Sequence, residues 1–128
     1  FMTEEEKTSL VKSYVRAYNA FDVEGMLANL HDEIIFKNIS NGEVTLEIKG
    51  CDAFRDQAMQ AASFFSEREQ TIENFVFSED ACEIQIDYQA VIAADLPNGL
   101  KSGDKIELKG KSIFRFADGK ISEIEDIS

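Results

Sequence analysis

The sequence has no tryptophan, one proline, one histidine and two cysteines in its 128 residues. With His31 the single imidazole, reading as a group at a helix end, neither a Ser-His-Asp nor a Cys-His arrangement can be argued. A metal site would need carboxylates alone, and the acidic residues lack the spacing of a calcium loop, so no metal and no cofactor are expected. Cys51 and Cys82 lack metal-ligand spacing. They read as free, buried thiols of a reducing compartment, with one disulfide as the alternative. No Gly-rich loop follows a strand and opens a helix, which disfavours nucleotide binding. No apolar run approaches the ~20 residues that span a bilayer. Basic side chains are also scarce, 13 against 25 acidic, for a formal charge of −12. That charge repels phosphate backbones and anionic lipid, so no nucleic acid and no membrane are expected as partners. The segment Thr3-Glu4-Glu5-Glu6 has the wrong sign for a signal peptide, and a cytoplasmic location is the expectation.

What is present suits a globular chain: 44% hydrophobic residues, 30% charged and ten Phe. This length fits one domain, taken as residues 2–128, with Phe1 ahead of Met2 read as a leftover of cloning. From Glu4 to Phe21, Leu10, Val11, Tyr14, Val15, Ala17, Tyr18 and Phe21 follow the spacing of one buried helix face. Thr3 and Glu6 form a capping-box pattern. Asp22 starts a short second helix with Met26, Leu27 and Leu30 as its apolar face. Ile34-Ile35-Phe36 reads as a strand, Ser40-Asn41-Gly42 as a turn, and Val44 to Lys49 as an extension of that edge. Asp52 is expected to cap a third helix running to about Phe65, with Phe54, Ala58, Met59, Ala61, Ala62 and Phe65 inward.

The remainder is β-rich: Gln70 to Ser78, Cys82 to Ala94, Lys105 to Phe116 and Lys120 to Ile127. Asp118-Gly119 is a tight-hairpin signal. Helices first and hairpin-linked strands after imply an α+β fold with an antiparallel sheet. Alternation puts Cys82, Ile84, Ile86, Tyr88 and Ala90 on the face toward the helices, with Ile106, Leu108, Gly110, Ser112, Phe114 and Phe116 beside them. Helices laid across one face of a curved sheet commonly enclose a cone that can hold a ligand.

Several segments, in this order and spacing, carry a family resemblance. They are Val11-Lys12-Ser13-Tyr14-Val15, Tyr18-Asn19-Ala20-Phe21-Asp22, Gly25-Met26-Leu27 and His31-Asp32-Glu33-Ile34-Ile35-Phe36. Gly50 opens the third helix, and Phe114 to Ile121 closes the pattern. Together they resemble a nuclear transport factor 2-like domain of the SnoaL-like and ketosteroid-isomerase-like branch, over nearly the whole chain. The resemblance implies a cone-shaped cystatin-like roll. It does not fix a function, because this fold hosts enzymes, transport adaptors and plain dimerisation modules.

In ketosteroid isomerases of this fold, a helix-1 tyrosine and a protonated aspartic acid hold the oxyanion while a second aspartate moves the proton. The resemblance puts the tyrosine on Tyr14, the proton-moving position on Asn38 and the second donor on Ser112. An amide cannot accept a proton, so that isomerase constellation is not kept. SnoaL-like cyclases instead place an acid/base aspartate on the terminal strand, and the frame Gly119-Lys120-Ile121-Ser122-Glu123-Ile124-Glu125-Asp126 puts it on Asp126. Ile124 and Glu125 stand where the pattern has histidine and tryptophan.

Each candidate also has a plainer reading. Tyr14 on an apolar helix face is a core tyrosine or an oxyanion donor; Asp126 near the end of an acidic chain is a solvated carboxylate or a base. Asn38 bonds the following turn or orients a ligand. The Phe set (Phe54, Phe64, Phe65, Phe75, Phe77, Phe114) is mostly core. The resulting expectation is a small pocket protein that binds a compact apolar carbonyl compound, with isomerase- or cyclase-like proton transfer through Tyr14 and Asp126. Tyr18, Asn38, Phe54, Tyr88, Ser112 and Phe114 would line its pocket. By resemblance the outer sheet face, with Asp87, Gln89, Val91, Ile113 and Arg115, is a homodimer surface. The alternative is a non-catalytic homodimerisation or ligand-carrying module.

Overall fold

A computed structural model describes all 128 residues. Helix α1 (Glu4–Asn19) begins on Thr3, whose hydroxyl accepts from Glu6 N while the Glu6 carboxylate accepts from Thr3 N, the capping box expected. Val11, Tyr14, Val15 and Ala17 form its buried stripe. Helix α2 (Val23–Leu27) starts on Asp22, whose carboxylate accepts from Gly25 N at 2.9 Å, and Met26 is its buried residue.

The chain then leaves the helix earlier than expected. Strand β1 (Leu30–Ser40) begins at Leu30, so Leu30 belongs to the sheet rather than to the face of α2, and His31 caps no helix. The reason lies far along the sequence: Ile121 N bonds Asn29 O at 2.9 Å and Leu30 is paired with Ile121, which draws this segment into the sheet. His31 Nε2 sits 3.0 Å from Asp118 Oδ2. A hairpin through Asn41 and Gly42, both left-handed (φ 52° and 80°), leads to β2 (Glu43–Lys49).

Helix α3 (Cys51–Ala62) takes Gly50, not Asp52, as its N-cap, and no side chain caps it. Gly50 has φ 87° and its N–H bonds Ile34 O at 2.8 Å, so the backbone bend that opens α3 is tied to β1. Phe54 is the buried residue of α3, whereas Met59, expected inward, is 57% exposed. The helix ends at Ala62, and Phe65 opens β3 (Phe65–Phe77), which is followed by β4 (Ala81–Ile92), β5 (Lys105–Ala117) and β6 (Lys120–Ile127).

The six strands form one sheet in the order β2-β1-β6-β5-β4-β3. All pairs are antiparallel except β1–β6, which is parallel and makes the sheet mixed. The alternation holds: Cys82, Ile84, Ile86 and Ala90 are buried toward the helices, as are Ser112 and Phe114. Both cysteines are free, and burial pushes the Cys82 thiol up to about 11. The outer face carries cross-strand ion pairs. Arg115 Nη1 lies 2.7 Å from both Glu123 and Glu125, and Lys109 lies 3.2 Å from Asp87. No helix is long and apolar enough to cross a membrane.

Candidate functional site

The site is built where the C-terminal half of α1, helix α3 and the β1–β6 pair converge. A cavity of about 210 Å³ lies there, and nine of its thirteen lining residues are hydrophobic, so any molecule entering it would shed most of its water. Phe36, Leu46, Ile48, Phe54 and Ala58 supply the apolar wall; Tyr14, Tyr18, Asn38, Gln57, Arg68 and Asp126 supply the polar groups. A second chamber of about 200 Å³ lies beside it, lined by Tyr18, Gln70, Tyr88, Ser112 and Asp126 among others. Tyr18, Asn38 and Asp126 border both spaces.

Asp126 reaches this position because β6 lies between β1 and β5. It faces Asn38 in the parallel register and Ser112 in the antiparallel one. Ser112 Oγ donates to Asp126 Oδ1 at 2.6 Å. Asp126 is only partly buried as a residue, because one side opens on the chambers, but its carboxyl is crowded by protein atoms. Burial raises its pKa from the ordinary 3.8 to about 6, and the Ser112 hydrogen bond pulls the other way. At neutral pH such a group is mostly ionised yet close to its proton-transfer midpoint, the range suited to a general base.

The tyrosines behave differently from one another. Tyr14 is 5% exposed and packed by its ring, edge-on to Phe114 at 5.9 Å and tilted against Phe54 at 6.5 Å. Its pKa is raised well above 10, first by burial and then by the negative charge of Asp126, so it remains a phenol able to donate. Tyr18 and Tyr88 pair through their hydroxyls at 2.9 Å, and burial raises both. The end of α1 is latched onto the free edge of β3: Asn19 Nδ2 donates to Gln70 O at 3.0 Å and Asn19 Oδ1 accepts from Gln70 N at 2.8 Å.

Thus Tyr14, Tyr18, Asn38, Phe54 and Asp126 meet at the first cavity, and Tyr88 and Ser112 at the second. Phe114 does not join them; it is 1% exposed and supports the Tyr14 ring from the core. The Asn38 amide is committed to β2, donating to Thr45 Oγ1 at 2.8 Å. Two polar residues lining the first cavity escaped sequence reasoning, Gln57 and Arg68. Arg68 had a signal. Alternation carried back from Ile72 through Gln70 puts it on the inward face of β3, but the expected strand began only at Gln70.

A curved sheet wrapped over three helices around a carboxylate-bearing cavity defines a cone-shaped α+β roll. The chain belongs to the SnoaL-like domain family, whose model matches residues 11–124, within the nuclear transport factor 2-like superfamily. Solved structures agree on the fold. A proposed polyketide cyclase from Xanthomonas campestris pv. campestris is 19% identical, with 97% of this chain and 90% of that one covered and a TM-score of 0.76. TerC, crystallised together with polyporic acid, is 15% identical, with 95% and 90% covered and a TM-score of 0.74. An epoxide hydrolase of the LEH-like type from M. tuberculosis is 16% identical, with 96% and 82% covered and a TM-score of 0.75. No curated protein matches the chain.

Proposed function

We propose that residues 2–128 act as one SnoaL-like domain that takes a compact carbonyl compound into the cone and moves a proton on it. In this reading Asp126 removes a proton next to the carbonyl, and the Tyr14 hydroxyl hydrogen-bonds the oxyanion that develops. Ser112 positions Asp126. Tyr18, Tyr88, Asn38 and Phe54 shape the space, and Phe114 keeps the Tyr14 ring in place from behind. The observation that carries the reading is Asp126 itself, a carboxylate bordering both chambers with its pKa near 6. Cyclase and hydrolase relatives of the same fold are consistent with polar chemistry in such a cone.

The first cavity, at about 210 Å³, is smaller than the roughly 300–1,000 Å³ of drug-sized sites, which favours a compact ligand over a polycyclic one. Native mass spectrometry of freshly purified protein, followed by identification of any released molecule, supplies the carbonyl scaffold. Exchange of its α-hydrogens in deuterium oxide, followed by NMR, then tests the chemistry. Catalysed exchange that falls by about 10²-fold or more in Asp126→Asn is the expected result. Unchanged affinity with no catalysed exchange would leave a ligand carrier. The same native spectra test the homodimer we propose through the outer sheet face, where Val91 and Ile113 lie among the ion pairs.

A further inference from the structure

Arg68 is the one basic side chain that the fold buries, at 5% exposure. It sits on β3 and lines the first cavity. Its Nε donates to Tyr18 O at 2.9 Å, and the Tyr18 and Phe21 rings lie against the guanidinium at 3.7 and 4.5 Å from their centroids. Nη2 is buried without a hydrogen-bond partner, the only such side-chain atom in the protein. In a chain with 25 acidic residues, none forms an ion pair with this arginine. A guanidinium taken out of water without a counter-ion costs several kcal/mol, so its retention calls for a compensating anion.

The backbone supports the same conclusion. Phe21 holds a left-handed conformation, φ 58°, which a bulky residue adopts only under constraint. That turn follows α1 directly, and the Phe21 ring it carries is one of the two against Arg68. Aromatic rings against the guanidinium and a carbonyl on Nε leave the Nη groups as its donors without a protein partner. Those groups present parallel N–H donors, the geometry that matches a carboxylate.

We infer that Arg68 is the anchor for a carboxylate carried by the ligand, so that the substrate class is a compact oxo-carboxylic acid rather than a neutral carbonyl compound. This rests on the reading of the cone as a ligand site but not on catalysis by Asp126. The anchor lies on β3, while the base lies on β6, two strands of the sheet separated by β5 and β4. A ligand spanning them would present its carboxylate to Arg68 and its acidic C–H to Asp126. Tyr14, which no protein group hydrogen-bonds, is left for the carbonyl oxygen.

The test compares matched pairs by calorimetry: benzoate with benzamide, and 3-benzoylpropionate with its methyl ester, against wild type and Arg68→Met. Expected is at least tenfold tighter binding of a carboxylate than of its neutral partner, with that preference lost in Arg68→Met. Thermal unfolding of Arg68→Met without ligand gives an independent readout. A melting temperature equal to or above that of wild type supports a residue kept for binding. A loss of several degrees would assign Arg68 a structural role and overturn the inference, as would failure of both carboxylates to bind better than their neutral partners. A preference for carboxylate seen in both wild type and Asp126→Asn, with no catalysed exchange by the wild type itself, would sink the proton-transfer reading and leave the anchor standing. An Arg68→Met effect confined to kcat, with KM unchanged, would assign the guanidinium to the transition-state oxyanion and overturn the carboxylate anchor.

Discussion

Ser112 and Asp126 face each other across the β5–β6 register, with the serine hydroxyl donating to the carboxylate at 2.6 Å. The pair joins two opposing influences on one group. Burial favours the protonated acid, and the hydrogen bond favours the anion. Burial is the larger, which is why the midpoint lies near 6 rather than below 4. A carboxylate tuned in this way is a base whose strength the protein can adjust through a neighbouring hydroxyl.

Ser112→Ala removes the opposing influence. A hydrogen bond to a charged group contributes about 1.5–3 kcal/mol, so the Asp126 midpoint should rise by about one to two units. Carbon-detected NMR of the Asp126 carboxyl across pH 4 to 9 measures this directly. The acidic limb of any rate profile should move to higher pH by the same amount. A midpoint that stays near 6 would mean the serine only fills space.

Asp126→Asn should stabilise the protein at alkaline pH. The folded midpoint, about 6, lies above the ordinary 3.8, so the folded state holds this proton more tightly than the unfolded chain does. The contribution is therefore fully present below about pH 4 and is lost as pH rises through about 6. Asparagine carries no charge and can still accept from Ser112, which removes the penalty of the buried anion. The expected gain is about 3 kcal/mol at pH 8 and close to zero at pH 3.5, read from urea unfolding at both. A gain independent of pH would point to packing instead.

Gly25 is needed for a different reason. A Cβ there would collide with the Asp22 carboxylate that caps α2 and would crowd Ala17 on α1 at 3.2 Å. Gly25→Ala should displace the cap at a cost of about 1 kcal/mol, visible as a lower denaturant midpoint. Because α2 supplies Met26 to the cavity wall, ligand affinity should fall with it.

Local signals in the chain were legible where neighbouring residues alone decide the structure. The Thr3–Glu6 capping box, the Asp22 cap, the Asp118-Gly119 hairpin and the inward set of β4 all depend on adjacent side chains and a fixed period. The parallel pairing of β1 with β6 was not legible, because it joins segments about ninety residues apart. It moved Leu30 and His31 from a helix end into a strand. Arg68 was missed partly because the expected strand began only at Gln70. In Ser66-Glu67-Arg68-Glu69 it has the look of a solvated strand, and only the packing of α1 against β3 brings two aromatic rings over it. The position of Asp126 came from a family frame, but its elevated midpoint depends on a crowded interior that no local pattern encodes.

Tyr14→Phe separates the two roles open to that residue. The ring packs against Phe54 and Phe114, and phenylalanine keeps both contacts, so thermal stability should change by less than about 1 kcal/mol. The hydroxyl has no protein partner to lose. If it holds a developing oxyanion, its removal should cost about 10²–10³ in kcat, the magnitude seen when one oxyanion donor is deleted. Ground-state binding should be nearly unchanged, because the oxygen of a neutral carbonyl accepts a weaker hydrogen bond than that of an enolate. A loss of stability with turnover intact would make Tyr14 a core residue with an idle hydroxyl. Turnover lost at constant stability and constant KM is the expected outcome, since nothing else in the fold uses that oxygen.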